Sequence, residues 1–278
     1  MNPSERFVVV PAVIILTLLL GGCSTALQPN TPGSPSPPPE NPFLTHQPKV
    51  LLHDGDVVLL EWELDDSPVF WKAGVSGLPH LEAWRAAIRR KIGDRTDPAF
   101  LLRQNRKIHP WLESEDKAQR MINTAIAAGT LGRWRPMNGL ESFLLDFHAS
   151  RYPLVDRPSE MGELMLTRHG KVRVDYLTDG NGLPPKEGVN KVIERAAAAI
   201  KEGWVVRAFL HNHTWDFSND KGLYALAAPS EADLHFIHVL GAKLDLDQAW
   251  IVDGFNSFEL DAAQFGWSPD SAGDTSSR

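Results

Sequence analysis

The sequence predicts a mixed α/β (α+β) fold, in which helices flank a mixed β-sheet, over residues 137–265. Short apolar runs of strand length alternate with longer segments in which apolar residues recur every three or four positions. Turn signals such as His169-Gly170 and Asp253-Gly254 separate these segments. The predicted order is α, β, β, α, β, α, β, β, and no internal repeat is visible.

Each element of this domain follows from its local pattern. The helices have an apolar or Ala-rich face, and the strands are apolar runs bounded by turn residues. In chain order, we predict a helix over 140–149, strands over 163–166 and 171–177, a helix over 190–201, a strand over 204–210, a helix over 230–240, and strands over 248–252 and 257–260.

Residues 49–136 are predicted to be an N-terminal α+β extension, to which the sequence assigns no role. The pattern predicts a strand over 56–64 and an amphipathic helix over 81–92. A second helix is predicted over 114–128, with Ser114 as its N-cap. We interpret His109 and the tryptophans of this region as packing residues.

Residues 1–22 have the pattern of a signal peptide. The apolar run from Phe7 to Leu20 has fourteen residues, whereas a membrane-spanning helix needs about 20. The run ends in Leu-Gly-Gly-Cys, which resembles the bacterial lipoprotein box. This resemblance implies that Cys23 is acylated and anchors the mature chain to a membrane. Ser24 is similar to the second residue of lipoproteins sorted to the outer membrane, which predicts a periplasm-facing protein.

Composition narrows the chemistry of the rest of the chain. Residues 23–48 are rich in Pro, Ser and Thr and predict a disordered tether, and 266–278 predict a polar tail. Cys23 is the only cysteine, which excludes disulfides and cysteine-bound zinc, so a metal would be held by His, Asp or Glu. The net charge of −7 gives no basic surface for nucleic acid, and no nucleic-acid partner is expected.

Two short motifs point to a metal site. His211 and His213 lie two residues apart at the end of a predicted strand, so their side chains share one face. Ser230 is placed to be the N-cap of the next helix, with Asp233 in its first turn. Taken singly, the first motif is also explained by strand packing, and the second by a capping box.

The combination of motifs resembles the JAMM motif of the JAB/MPN metalloprotease superfamily. His-x-His followed by Ser-x-x-Asp, in the form Leu-His-Asn-His and Pro-Ser-Glu-Ala-Asp, is particularly similar to the RadC-like bacterial branch. The family also has an upstream glutamate in a Pro-x-Glu pattern. Pro158-Ser159-Glu160 matches this pattern, which places Glu160 at the catalytic position.

The resemblance implies a zinc-dependent amide hydrolase with a JAB/MPN-like fold. His211, His213 and Asp233 would hold one Zn²⁺ ion, which lowers the pKa of a bound water to about 7. Glu160 would take the proton of this water and pass it to the leaving amine. Ser230 would stabilise the oxyanion of the tetrahedral intermediate.

The chain departs from the family at three places. Thr214 replaces a proline, Glu163 replaces a glycine, and sixteen residues, 214–229, replace a much shorter loop before Ser230. This loop is interpreted as a lid or an interaction surface, and its Asp216 as a weaker candidate ligand. We interpret His148 as packing against the sheet, Asp253 as a turn residue, and the remaining helix histidines as core or surface residues: His235 and His238.

Two functions remain open from the sequence. The leading prediction is a membrane-anchored peptidase or isopeptidase acting on a peptide, an isopeptide-containing protein or a cell-wall substrate. The alternative is a non-catalytic lipoprotein that uses the JAB/MPN scaffold as a binding or assembly module of the envelope.

Overall fold

The computed structural model describes residues 39–108, 116–152, 159–180, 186–215 and 226–268. Within these ranges the predicted mixed α/β fold is confirmed, because eight strands form one mixed sheet in the order β1-β2-β5-β4-β6-β7-β8-β3. The strands are β1 (Lys49–Asp54), β2 (Val57–Asp65), β3 (Arg133–Pro136), β4 (Met161–Arg168), β5 (Lys171–Thr178), β6 (Val205–Asn212), β7 (Gln248–Val252) and β8 (Asn256–Asp261).

The helices pack on both faces of this sheet. Those in the described ranges are α1 (Pro42–Thr45), α2 (Pro68–Trp71), α3 (Pro79–Ile92), α4 (Pro98–Ile108), α5 (Asp116–Ala127), α6 (Gly139–Arg151), α7 (Lys186–Lys201) and α8 (Glu231–Leu244), with a 3₁₀ turn at Ala262–Gln264. Helices α1, α2 and α3 contact α6 on one face. Helix α7 contacts α8 and the central strands on the other.

The centre of the sheet follows the order predicted for residues 137–265. Strand β4 pairs antiparallel with both β5 and β6, whereas β6 and β7 run parallel. A parallel pair needs a crossover connection, and α8 provides it between β6 and β7. The carboxyl ends of β6 and β7 therefore lie at the same edge of the sheet, close to the start of α8.

The N-terminal extension contributes strands to both sides of the same sheet. Strand β2 pairs with β5 from Val58 to Asp65, and β3 pairs with β8 at the opposite edge. Helix α1 lies inside the stretch predicted as a tether, where the Asn41 side chain donates to Phe143 O and to Asp146 Oδ2, both at 2.9 Å. The folded part of the chain therefore begins before residue 49.

Alternation along β6 determines what each face of the sheet carries. Phe209 packs against Phe236 of α8, with ring centroids 5.3 Å apart, and so lies on the α7/α8 face. Because successive side chains of a strand point to opposite faces, His211 lies on the same face as Phe209, and Asn212 on the α6 face.

The segments predicted to target and anchor the chain precede the first described residue. The signal over 1–22 and Cys23 belong to this part, so their assignment stays a prediction. In the described part of the chain, no helix is long and apolar enough to span a membrane.

Candidate metal centre

The two histidines of the His-x-His motif lie side by side at the end of β6. Their ring centroids are 4.8 Å apart, and the rings are nearly perpendicular, at 87°. Strand β6 ends at Asn212, but His213 N still donates to Val252 O of β7 at 2.8 Å. This bond keeps His213 in line with the strand, so both side chains stay on one face.

Helix α8 brings the third side chain to the histidines. Ser230 is the N-cap of α8, and its Oγ accepts a hydrogen bond from Asp233 N at 3.1 Å. In return, Asp233 Oδ2 accepts from Ser230 N at 2.7 Å, which completes a capping box. The predicted N-cap and first-turn positions are both confirmed. The capping box also fixes the Asp233 carboxylate so that it points at the histidines.

The geometry of this group suits a metal ion. Asp233 Oδ1 lies 3.3 Å from His211 Nε2, and Asp233 Oδ2 lies 3.3 Å from His213 Nε2. Zinc bonds of about 2.0–2.1 Å at tetrahedral angles separate neighbouring ligand atoms by about 3.3 Å. His211 Nε2 is buried, and its nearest carboxylate oxygen is that of Asp233 in the ion pair at 3.3 Å. The three residues could therefore bind a metal ion.

A backbone carbonyl sets the tautomer of His213. Leu226 O lies 2.7 Å from His213 Nδ1 and can only accept, so Nδ1 carries the proton. When the ring is neutral, the lone pair is therefore on Nε2, the nitrogen that faces Asp233. Such a bond to the second ring nitrogen is typical of metal-bound histidines. Leu226 was not predicted, because main-chain groups leave no signal in the residue pattern.

The charges of the site are complementary. Burial disfavours a charged carboxylate, but the two imidazoles outweigh burial and hold the pKa of Asp233 well below its ordinary value. Burial likewise disfavours a charged imidazole, but the Asp233 carboxylate raises the pKa of His213 to about 9. A proton on His213 and a divalent cation would satisfy the same carboxylate, so the ion would take the place of the proton.

Glu160 lies on the same face as the histidines. Gly162 is directly across from His211 in the antiparallel pair of β4 and β6. Continuing this register by two residues places Glu160 across from His213. Burial raises the pKa of Glu160, and the charges of both histidines act against this rise. The structure thus brings the predicted catalytic residues, Glu160 and Ser230, to the three predicted ligands.

The histidines that the sequence analysis interpreted as packing, core or surface residues are not part of this group. His235 and His238 are on α8 but are exposed. His148 is buried against the sheet, as predicted, and contacts Tyr176 and Ser159. Burial lowers the pKa of His148 to about 4, so the ring is neutral.

The sequence analysis named two further aspartates, Asp253 as a turn residue and Asp216 as a candidate ligand. Asp253 is a turn residue, as predicted, because its Oδ1 accepts from the backbone N–H groups of Phe255 and Asn256 at 2.8 and 2.7 Å. Asp216 and most of the loop 214–229 lie outside the described residues, as does His109.

Glu163 is a buried carboxyl group on the face opposite the histidines. It pairs in register with Tyr176, whose ring packs on Phe147 of α6. Both of its carboxylate oxygens are buried and have no hydrogen-bond partner among the residues that the structure describes. Burial raises the pKa of Glu163 well above its ordinary value, which favours its protonated form in the folded protein.

Replacing Glu163 by methionine should stabilise the protein by about 1–3 kcal/mol, because an unsatisfied buried polar group is removed at nearly constant volume. The gain should grow as the pH rises above about 4.5, since the unfolded chain then releases a proton that folded Glu163 keeps. Urea unfolding of Glu163→Met at pH 4 and pH 8 would measure this. Glu194→Met, at an exposed position of α7, is the control, and a gain independent of pH would contradict the prediction.

A cavity of about 570 Å³ lies at the other end of β6 and β7. The polar groups that line it bind one another, as in the ion pair of Arg207 with Asp247 and the hydrogen bond from Trp71 Nε1 to Asp66, each at 2.7 Å. Because these groups satisfy one another, we assign the chemistry to the His-His-Asp group.

The fold and the site define a mixed α/β protein with a candidate metal centre at the carboxyl ends of its central strands. Comparisons of the chain with protein-family models, curated proteins and solved structures found no match. Membership of the JAB/MPN superfamily therefore stays a prediction from the motif.

Proposed function

We propose that the protein is a membrane-anchored, zinc-dependent peptidase or isopeptidase. The observation that carries this proposal is the convergence of three metal-ligand atoms, from His211, His213 and Asp233, on the face that also carries Glu160. Two nitrogens and one carboxylate oxygen form the donor set of many catalytic zinc sites, in which the fourth position is left to water or substrate.

Each residue has a separate task in this proposal. His211, His213 and Asp233 hold the ion, and Leu226 O and the capping box orient two of these ligands. Zinc bound there would polarise the scissile carbonyl and lower the pKa of a water ligand to about 7.

Glu160 moves the proton from the attacking water to the leaving amine. Its burial supports this role, because a raised carboxylate pKa brings the base closer to neutral pH. Ser230 Oγ accepts from Asp233 N, which leaves its own O–H free to donate to the oxyanion of the tetrahedral intermediate.

The substrate class follows from the predicted location. The lipoprotein box and Cys23 would place the site in the bacterial envelope, at the periplasmic side of the outer membrane. Amide bonds available there include those of peptides and of peptidoglycan cross-links. The resemblance to JAMM enzymes, which cut amide and isopeptide bonds, supports the same class of reaction.

The proposal is tested on the full-length chain, purified in detergent and dialysed against metal-free buffer with added zinc. We expect one zinc per chain by mass spectrometry, and hydrolysis within a panel of cross-linked muropeptides and Lys-linked isopeptides that a chelator abolishes and zinc restores. Failure to bind zinc would refute the proposal. Zinc binding without hydrolysis of any member of the panel would favour the alternative, a non-catalytic binding module.

A further inference from the structure

The short segment that carries Glu160 is held by hydrogen bonds to its main chain. Ser159 O accepts from Asn212 Nδ2 and from His148 Nε2, both at 3.1 Å. Met161 N donates to Asn212 Oδ1 at 2.7 Å. Both neighbours of Glu160 in the chain are therefore bound to the same side chain, that of Asn212.

Asn212 is the residue between the two histidine ligands. It is fully buried and faces away from His211 and His213. Its amide oxygen and its amide nitrogen are both used, and a carboxamide is the side-chain group of this size that offers an acceptor and a donor together. This double use fixes Asn212 against the Glu160 segment.

Within the described ranges, the other side-chain bonds to this segment come from elements without a metal ligand. His148 is on α6, and Thr178, whose Oγ1 donates to Glu160 O at 2.7 Å, is on β5. Asn212, in contrast, lies on β6 with His211, and is followed directly by His213. It is thus a direct side-chain link between the strand that carries both histidines and the segment that carries Glu160.

We propose that Asn212 is a positioning residue that fixes the distance between Glu160 and the metal ligands. The proposal rests on the proposed function, since it requires a bound metal and Glu160 as the base. A displacement of about 1 Å at a reacting group can lower a rate about a hundredfold. Asn212 prevents such a displacement, because any shift of the Glu160 segment along β6 would break both of its bonds.

The test uses zinc and acetohydroxamic acid as probes with the full-length chain. A hydroxamic acid releases a proton when it binds a metal, so a carboxylate at the correct distance favours its binding. We expect Glu160→Gln to weaken acetohydroxamate binding about tenfold, and Asn212→Ala to weaken it to a similar extent, while the zinc affinity of both variants stays within about threefold of wild type. Calorimetric titration measures the zinc affinity and the acetohydroxamate affinity of wild type and of both variants.

The double variant separates positioning from a general loss of structure. If Asn212 acts through Glu160, adding Asn212→Ala to Glu160→Gln should change the acetohydroxamate affinity less than twofold. Three results would overturn the proposal. Asn212→Ala could weaken acetohydroxamate binding equally in wild type and in Glu160→Gln, it could leave acetohydroxamate binding unchanged, or it could lose its zinc affinity. Asn190→Ala, at an exposed position of α7, is the matched control.

A second variant keeps the test valid if Asn212→Ala does not fold. Asn212→Asp preserves the side-chain shape and the acceptor for Met161 N but removes the donor to Ser159 O. It should also weaken acetohydroxamate binding, and only when Glu160 is present. If wild type binds zinc and responds to Glu160→Gln but not to either Asn212 variant, this inference fails and the proposed function stands. If wild type binds no zinc, both fail.

Discussion

Replacing His211 by alanine should lower the zinc affinity of the protein roughly a hundredfold or more and abolish hydrolysis. Zinc-binding free energies of roughly 10–16 kcal/mol in four-ligand sites correspond to about 3 kcal/mol per ligand, which is more than a hundredfold in affinity. His211 is buried, with its Nε2 facing Asp233 at 3.3 Å. No other side chain of β6 can take its place, because Phe209 and His213 are its neighbours on that face.

His235→Ala is the matched control for this prediction. His235 is on the same helix as Asp233 but is exposed, so its loss should leave the zinc affinity unchanged. Competition with a chromophoric chelator measures both affinities under the same conditions. Equal zinc affinities of His211→Ala and wild type would show that zinc binds elsewhere, and would remove the main support for the proposed function.

Most elements of the central domain were predicted from their local patterns, but helix α4, which has 11 residues, and strand β1 of the N-terminal extension were missed. Helix α3 was predicted because Leu81, Trp84 and Ile88 repeat at helical spacing, and all three are buried. Strand β3 was missed because Arg-Trp-Arg-Pro has no apolar alternation, and its position depends on pairing with β8. Helices α1 and α2 have four residues each, too few to display a periodic pattern.

Most of the candidate site was predictable because its parts are local. The cap at Ser230 and the spacing of His211 and His213 are determined within a few residues, and the structure bears them out. Glu160 came only from the family pattern. Asn212 was overlooked, although alternation along β6 predicts that it faces away from the histidines. Its partners, at Ser159 and Met161, are main-chain atoms that no residue pattern reveals.

The N-terminal extension supports the candidate site from a distance. Trp134 Nε1, on β3, donates to Ala227 O at 2.6 Å, and Ala227 follows the residue whose carbonyl orients His213. Gln119 of α5 donates to Pro229 O at 3.4 Å, directly before Ser230. The segment that joins the long loop to α8 is thus held by residues 49–136, which gives this region a structural role in the site.

Replacing Glu160 by glutamine should lower the rate of hydrolysis about 10²- to 10⁴-fold while zinc stays bound. Glutamine keeps the shape of the side chain but cannot accept a proton from the attacking water. The metal ligands are unchanged, because Glu160 belongs to the segment before β4 and the ligands to β6 and α8. Steady-state kinetics on a cleaved muropeptide or isopeptide, together with zinc content, measure the two effects separately.

The effect of Glu160→Gln on the rate of hydrolysis, compared with its effect on zinc content, distinguishes the two functions that the sequence leaves open, a peptidase and a binding module. Removing a base that acts only in the chemical step should lower kcat far more than it changes KM, because the base does not contribute to substrate binding in the ground state. Glu231→Gln, at an exposed position in the first turn of α8, controls for the loss of a nearby negative charge. If both variants hydrolyse the substrate as fast as wild type, Glu160 is not the base, whereas loss of zinc from Glu160→Gln would make it a ligand. A binding module would lose neither zinc nor partner affinity, because nothing in its function depends on a proton acceptor at this position.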